Sequence, residues 1–341
     1  MDSRDDQLTD AREGDCERAP KRAGRKRPYA AIRPFEAEDA ERAARLLYVL
    51  SPASVQTAES LVQRQSSEPE RARRRSWVAV EGDDMVGFAT AYFQWFGGET
   101  GKARIWAGVR EDRRRRGFGS ALWNTAVEHL GGARRYTVEI DDDRAGLAFV
   151  EGRGFSQYDA EVISRLDPRT CQLAAKPHEG FDLLRLRDVI DHERELFEFY
   201  GKAGAMSPRD PENQVTFEEW RRFILDNPLL DAQASVVVAD TDGQIVSLSW
   251  LLVDHARGRA ENEWTATLPQ LRARGLARLA KLASIQWAVE HDIAEILTGN
   301  DPDNLPMRAL NRRLGYRELF LRRDFARPAQ IGENRRTESP S

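Results

Sequence analysis

The chain repeats itself. Two stretches of about 140 to 150 residues carry the same landmarks in the same order, and a fixed internal spacing limits the fold more than any single motif does. Gly117 and Gly275 lie 158 residues apart, while Asp143 and Asn304, and Gly154 and Gly315, lie 161 apart. Each stretch opens with a short apolar run and an acid-rich helical segment: 30–35 leads to Asp39-Ala40-Glu41, and 181–186 leads to a helix expected over 189–200. Each continues with two apolar alternating runs around a turn, Trp77–Val80 into Met85–Phe93 and Ser235–Ala239 into Ile245–Val253, which read as β-hairpins. A further strand follows in each copy (102–109; 261–267), then an Arg/Gly loop, a helix, a strand (136–140; 295–298), an Asp/Asn loop, a short helix and a Gly-aromatic pair. The pattern predicts two copies of one α+β unit built on a mixed sheet.

Boundaries follow from composition. Residues 1–28 hold almost no large apolar side chains and read as a disordered tail, as does 327–341. A first unit is expected over 29–167, a Pro/Gly-containing linker over 168–179, and a second unit over 180–326. With 341 residues, 40% of them hydrophobic, the chain holds material for two ordinary cores. The net charge of −4 argues against a general nucleic-acid coat, so no nucleic-acid partner is expected. Of the 52 cations only six are lysine, a bias given no functional weight by itself. Two cysteines, Cys16 and Cys171, exclude a disulfide scaffold and a cysteine zinc cluster. The five histidines show no metal-ligand spacing, and no metal is expected. His129 and His291 fall near the ends of corresponding helices, where a cation suits the helix dipole. No run of ~18–20 apolar residues appears and the first residues lack a signal-peptide core, so the expected setting is cytoplasmic, with no membrane partner.

The two loops carry the chemistry. The first, Val109 to Ser120, contains Arg114-Arg115-Arg116-Gly117-Phe118-Gly119, and the second, Thr267 to Ala277, contains Arg272-Ala273-Arg274-Gly275-Leu276-Ala277. Both obey R-x-x-G-x-(G/A) between a strand and a helix. Glycine permits close backbone approach to an anion, the helix start offers unpaired N–H groups and a favourable dipole, and arginine offers a fork matched to phosphate oxygens. The alternative is a tight turn beside a solvated charge cluster, which duplication in equivalent places disfavours. Neither loop is a P-loop or a dinucleotide fingerprint.

These loops, with the segments Asn300–Tyr316 and Asp142–Phe155 that end in Gly-aromatic pairs, resemble the GNAT acetyltransferase superfamily. The resemblance covers both units, so the chain resembles a tandem GNAT protein, closer in the second half, which has Asn304 where the first has Asp143. It implies two GNAT-like acyl-CoA N-acyltransferase domains, with acetyl-CoA as co-substrate and an amine as acceptor. By the same resemblance, backbone at Val109 and at Thr267 and Leu268 would hold the pantetheine arm. Arg114, Arg115, Arg116, Gly117, Phe118 and Gly119, or Arg272, Ala273, Arg274, Gly275, Leu276 and Ala277 with Asn304, would serve the cofactor. The family often places a base six residues before the Val position, which here is Glu261, with Glu263 two further along the same face. The first half has Ala103 there, so the second half is expected to be the catalytic one. The tyrosine many relatives carry seven residues after the Asn is replaced by Val150 and Asn311. A non-catalytic module that binds CoA or a partner is the competing expectation.

Overall fold

The computed structural model describes residues 31–96, 99–172, 174–175, 178–204 and 215–329. The tail expected over 1–28, and the last residues from 330, lie outside them. In chain order the elements of the first half are β1 (Ala31–Pro34), α1 (Ala40–Leu50), α2 (Ala58–Ser67), β2 (Arg75–Glu81), β3 (Asp84–Phe93), β4 (Lys102–Val109), α3 (Phe118–His129), β5 (Arg135–Asp141), α4 (Arg144–Glu151) and β6 (Ser156–Leu166). The second half supplies β7 (Phe181–Arg185), α5 (Leu186–Val189), α6 (Glu193–Lys202), α7 (Phe217–Trp220), β8 (Val236–Asp240), β9 (Ile245–Asp254), β10 (Arg259–Thr267), α8 (Leu276–Glu290), β11 (Glu295–Asn300), α9 (Leu305–Leu314) and β12 (Arg317–Pro328).

Both expected hairpins form, as β2–β3 and β8–β9. The helix expected over 189–200 is interrupted: α5 stops at Val189 and α6 begins at Glu193. The amphipathic spacing read in the second post-loop helix is realised in α8, where Leu276, Leu279, Ala280, Ala283 and Trp287 are all buried.

The twelve strands join one sheet in the order β1-β2-β3-β4-β5-β12-β6-β11-β10-β9-β8-β7. The halves exchange their last strands. β12, from the end of the chain, lies between β5 and β6 and pairs with both, and β6 pairs with β11 of the second half. Each unit as a packed body is therefore not one continuous stretch of chain. β12 also extends through Arg327 and Pro328, which pair with Tyr136 and Arg135 and so belong to the sheet rather than to a loose end.

The exchange reaches the cores. Phe325 of β12, 4% exposed, is buried with Trp123, Tyr136 and Phe155 of the first half. Leu166 of β6, 1% exposed, is buried with Ile296, Leu314 and Tyr316 of the second. A smaller contact joins the opposite layer, where Val55 packs on Leu229 and Leu252, and Gln63 donates to the carbonyl of Asp226 at 3.1 Å. Phe325→Ala is expected to cost about 3–5 kcal/mol, because it leaves a void in a close-packed core. Faster amide exchange in β5 and α3 than in β10 and α8 would identify the damaged core as that of the first half; urea unfolding and hydrogen exchange measure both.

Candidate active site

In each half a parallel pair of strands diverges. β4 pairs with β5 over 102–104 and β10 with β11 over 259–261, and beyond that the strands separate toward the Arg/Gly loops. The loops share one backbone. Arg115 and Ala273 have φ of 60° and 62°, and Gly117 and Gly275 have φ of 94° and 83°, a region that favours glycine. A Cβ on either glycine would meet nothing within 4 Å, so the outer side of the loop is open. The amides of 115–120 and of 273–278 bond no backbone carbonyl among the described residues. They form two ready anion cradles at the starts of α3 and α8.

The side chains expected at these cradles divide. Phe118 and Leu276 turn into the core, and Leu268 is buried too, so only their backbone faces outward. Thr267 is buried and shares a hydrogen bond of 2.8 Å with Ser247. Arg114 and Arg272 each donate back to the carbonyl that ends the preceding strand, Val109 and Thr267, at 3.2 and 3.3 Å.

Charge separates the two copies. In the first loop Arg114 is paired with Asp143 at 3.2 Å, while Arg113 and Arg116 share Glu81 at 2.7 and 3.2 Å. In the second, neither Arg272 nor Arg274 has a carboxylate within ion-pair distance among the described residues; Arg272 reaches the Ala203 carbonyl at 3.4 Å, and the Arg274 carbonyl meets the His178 ring at 3.1 Å. Where the first half has Asp143, Asn304 caps α9 through the Met307 amide at 3.3 Å and carries no charge to neutralise an arginine. The second cradle thus keeps its positive charge for an incoming anion. The first half holds an open cavity of about 530 Å³ bordered by Val109, Arg114, Arg115, Gly117, Gly119 and Asp143.

Glu261 and Glu263 lie on β10, which bulges between Asn262 and Trp264 where β4 runs regularly. The bulge breaks the alternation. Asn262 turns to the α8 side and accepts from the ammonium of Lys281, a lysine only 2% exposed whose pKa burial pushes down to about 7. Glu261 goes the other way and accepts from the Val55 amide of the first half at 3.3 Å. Glu263 is exposed on that groove side, electrostatically coupled to Arg64 of α2 and to Tyr200 of α6.

A ribbon of charge runs across the sheet beside them. Arg104 joins Glu139 and Asp324, the latter at 3.1 Å, and Arg322 of β12 joins Asp141 at 2.6 Å and Glu139 at 3.2 Å. Glu161 stands over Gly299, where a Cβ would come within 2.8 Å of its Oε2. The acids outnumber the arginines, and burial raises the pKa of Glu161 and Asp324. Glu261 is pushed up to about 8, first by burial and then by Glu263, against the pull of Arg322. Among the described residues no set of His, Cys, Asp and Glu has metal-holding geometry. Sequence reasoning finds Glu261 and Glu263 but not Arg64, Arg322 or Glu139, whose strands and helices meet β10 only through the fold. His129 departs from the expected charged cap: burial lowers its pKa, and its Nε2 donates to the Arg73 carbonyl at 2.6 Å. Val150 and Asn311, at the positions of the missing tyrosines, are both 2% exposed, and Asn311 donates to Asn300 at 2.6 Å.

A carboxyl with a folded pKa above its unfolded value of 4.5 holds its proton longer in the folded state, so its stabilising contribution is lost as pH rises from there to about 8. Unfolding free energy is therefore expected to fall by about 2 kcal/mol between roughly pH 5 and 8, screening by groove water keeping it below the full linkage value. Glu261→Gln should remove most of that slope in urea titrations across the same range.

The family model described as the Acetyltransferase (GNAT) family matches residues 41–155 and 188–316, together more than half of the chain. A mycothiol acetyltransferase from Clavibacter sepedonicus is 24% identical over 217 residues, 61% of this chain and 67% of that protein. Among solved structures, a tandem GNAT protein from the clavulanic acid biosynthesis pathway aligns over 89% of this chain and 99% of its own, with a TM-score of 0.68 and 18% identity. A GCN5-related N-acetyltransferase from Sphaerobacter thermophilus aligns over 87% and 95%, with a TM-score of 0.65 and 18% identity. Two repeats, two cradles at diverging strands and two separate matches to one family model agree: the chain belongs to the GNAT acetyltransferase family, with the fold in two tandem copies.

Proposed function

We propose that the protein is an acetyl-CoA-dependent N-acetyltransferase acting on an amine, with transfer carried out by the second half. The observation that carries this reading is the pairing, in that half alone, of a cradle with un-neutralised arginines and two carboxyls, Glu261 and Glu263, on the strand leading to it, the first with its pKa pushed up to about 8. Thr267 and Leu268 backbone would align the pantetheine arm. Arg272, Ala273, Arg274, Gly275, Leu276 and Ala277, with Asn304 nearby, would hold the pyrophosphate through amides and guanidinium forks. Glu261 or Glu263 would take the proton from the acceptor ammonium; Glu261 suits the task because its pKa lies near the working pH. The freed amine then attacks the thioester carbonyl carbon, the C–N bond forms and the C–S bond breaks; the nitrogen gives up its extra proton to water, and CoA leaves as a thiolate that takes up a proton from solvent.

The first half supports a different duty. Val109 and the loop from Arg114, Arg115 and Arg116 through Gly117, Phe118 and Gly119 border a cavity wide enough for a nucleotide-bearing arm, yet most of the loop's arginine charge is neutralised and Ala103 stands where the second half has Glu261. CoA binding without transfer fits this half.

Calorimetric titration with acetyl-CoA tests both assignments. Gly275→Glu sets a carboxylate at the cradle and is expected to abolish productive binding, while Gly117→Glu leaves turnover intact. Turnover surviving Gly275→Glu would reverse the assignment of halves. Separately, Glu261→Gln and Glu263→Gln are assayed for CoA release with an amine panel. One of them is expected to lose about 10²–10⁴ in kcat with acetyl-CoA affinity retained; full turnover in both at every pH would remove these carboxyls from the mechanism.

A further inference from the structure

A lysine buried under the catalytic strand of the second half has no place in the transfer chemistry described above. β10 holds nine residues where β4 holds eight, and the pairing with β9 skips Glu263, between Asn262 and Trp264. The extra residue decides which way the carboxyls face. Thr265 and Thr267 keep their hydroxyls on the side of Asn262 and Ser247, Thr265 donating to Asn262 Oδ1 at 2.9 Å. In an unbroken strand residues 263 and 261 would share that side and point under α8, as Ile105 and Ala103 of the unbroken β4 are buried under α3. The bulge reverses the alternation, so Asn262 turns in and Glu261 turns out to the Val55 amide.

Asn262 anchors that reversal. It is 4% exposed, and all four hydrogen-bonding positions of its amide are used. Nδ2 donates to Ser249 Oγ at 2.8 Å and to the Trp250 carbonyl at 3.0 Å, while Oδ1 accepts from Thr265 and from the Lys281 ammonium. Its own carbonyl accepts from Thr298 at 3.1 Å. Of these partners Lys281 alone comes from the helix layer. Among the described residues Lys281 has no carboxylate within ion-pair distance; its Nζ bonds Asn262 and faces the Tyr316 ring, 5.1 Å from the centroid. Its neighbours Ala280, Leu282 and Ala283 are buried too, so an apolar side chain would cost far less at this position. The first half shows that alternative. Six residues after the loop glycine, where α8 has Lys281, α3 has the buried Trp123, and the strand beneath it has no bulge. Lysine and bulge occur together, as do tryptophan and regular strand.

We propose that Lys281 is a positioning residue: through Asn262 it holds the β10 bulge that turns Glu261 to the groove. Its consequence for turnover rests on the transfer reaction assigned to the second half, but its geometry does not. The test uses full-length Lys281→Met, Asn262→Leu and the double variant. Lys281→Met removes a desolvated ammonium, so its Tm is expected to hold or rise. Amide exchange over 261–264 should nevertheless quicken by about tenfold or more, with β11 unchanged. With acetyl-CoA affinity and amine KM retained, kcat should fall by about 10–100-fold, since the base is misplaced and not removed. Asn262→Leu should do the same, and the double variant should be no slower than the worse single, because both break one link. Unchanged exchange at 261–264, full kcat in Lys281→Met, or losses that multiply in the double variant would overturn the proposal. So would a lower Tm with faster exchange throughout α8 and β11, which would make Lys281 an ordinary part of the core. A wild type that releases no CoA with any amine would count against the transfer reaction; exchange at 261–264 would still decide whether Lys281 holds the bulge.

Discussion

The ladder that seats β12 between β5 and β6 holds the molecule together, and much of the rest follows from it. It converts two sheets into one, since β12 pairs with β5 along Arg322–Pro328 and with β6 along Arg317–Ala326. Neither half is finished by its own sequence: Phe325 fills the first core and Leu166 the second. Because strand side chains alternate, the same insertion that buries Phe325 sets Arg322 and Asp324 on the opposite face. There they meet Glu139, Asp141 and Arg104, and the charge ribbon is the polar side of the exchanged strand.

That ribbon governs the candidate site. A charge buried beside a sheet is tolerated only when it is paired, and Arg104 and Arg322 are held by carboxylates on neighbouring strands. The acids exceed the cations, and burial raises the pKa of Asp324, though Arg104 pairs with it, as well as that of Glu161. Glu261 is pushed up to about 8 first by burial and then by Glu263, with Arg322 and the Val55 amide opposing the shift without cancelling it. The site on β10 therefore draws its electrostatics from β5, β12 and α2, elements far away in the chain.

Distance along the chain also explains what can be read from the sequence. The repeat, the hairpins and the cradles are legible because each rests on local patterning: alternation, turn residues, or an Arg/Gly spacing between strand and helix; Glu261 is singled out by the family resemblance alone. The expected unit boundaries come from the same local signals, and these carry no information about which strand pairs with which. β6 and β12 escape a strand reading for a related reason. Each carries charged residues on its groove-side face, Asp159 and Glu161 or Arg322 and Asp324, and these hide apolar alternation even though the strands are central. The bulge at Glu263 is equally invisible, since its partner strand β9 shows no compensating feature in sequence.

The two copies differ most where duplication would leave them equivalent. Both keep the same loop backbone, down to the left-handed residue two positions before the glycine, so conformation alone does not distinguish them. Their surroundings do. An aspartate instead of asparagine at the cap of α4 places a negative charge against Arg114, and Glu81 takes two further arginines, so an anion entering that cradle must compete with carboxylates already there. In the second copy the equivalent competitors are absent from the described residues, and two carboxyls stand on the strand leading in. The proposed division of a binding half and a catalytic half thus rests on few differences: Asp143 and Glu81 against Asn304 at the cradles, and Ala103 against Glu261 on the strands leading in.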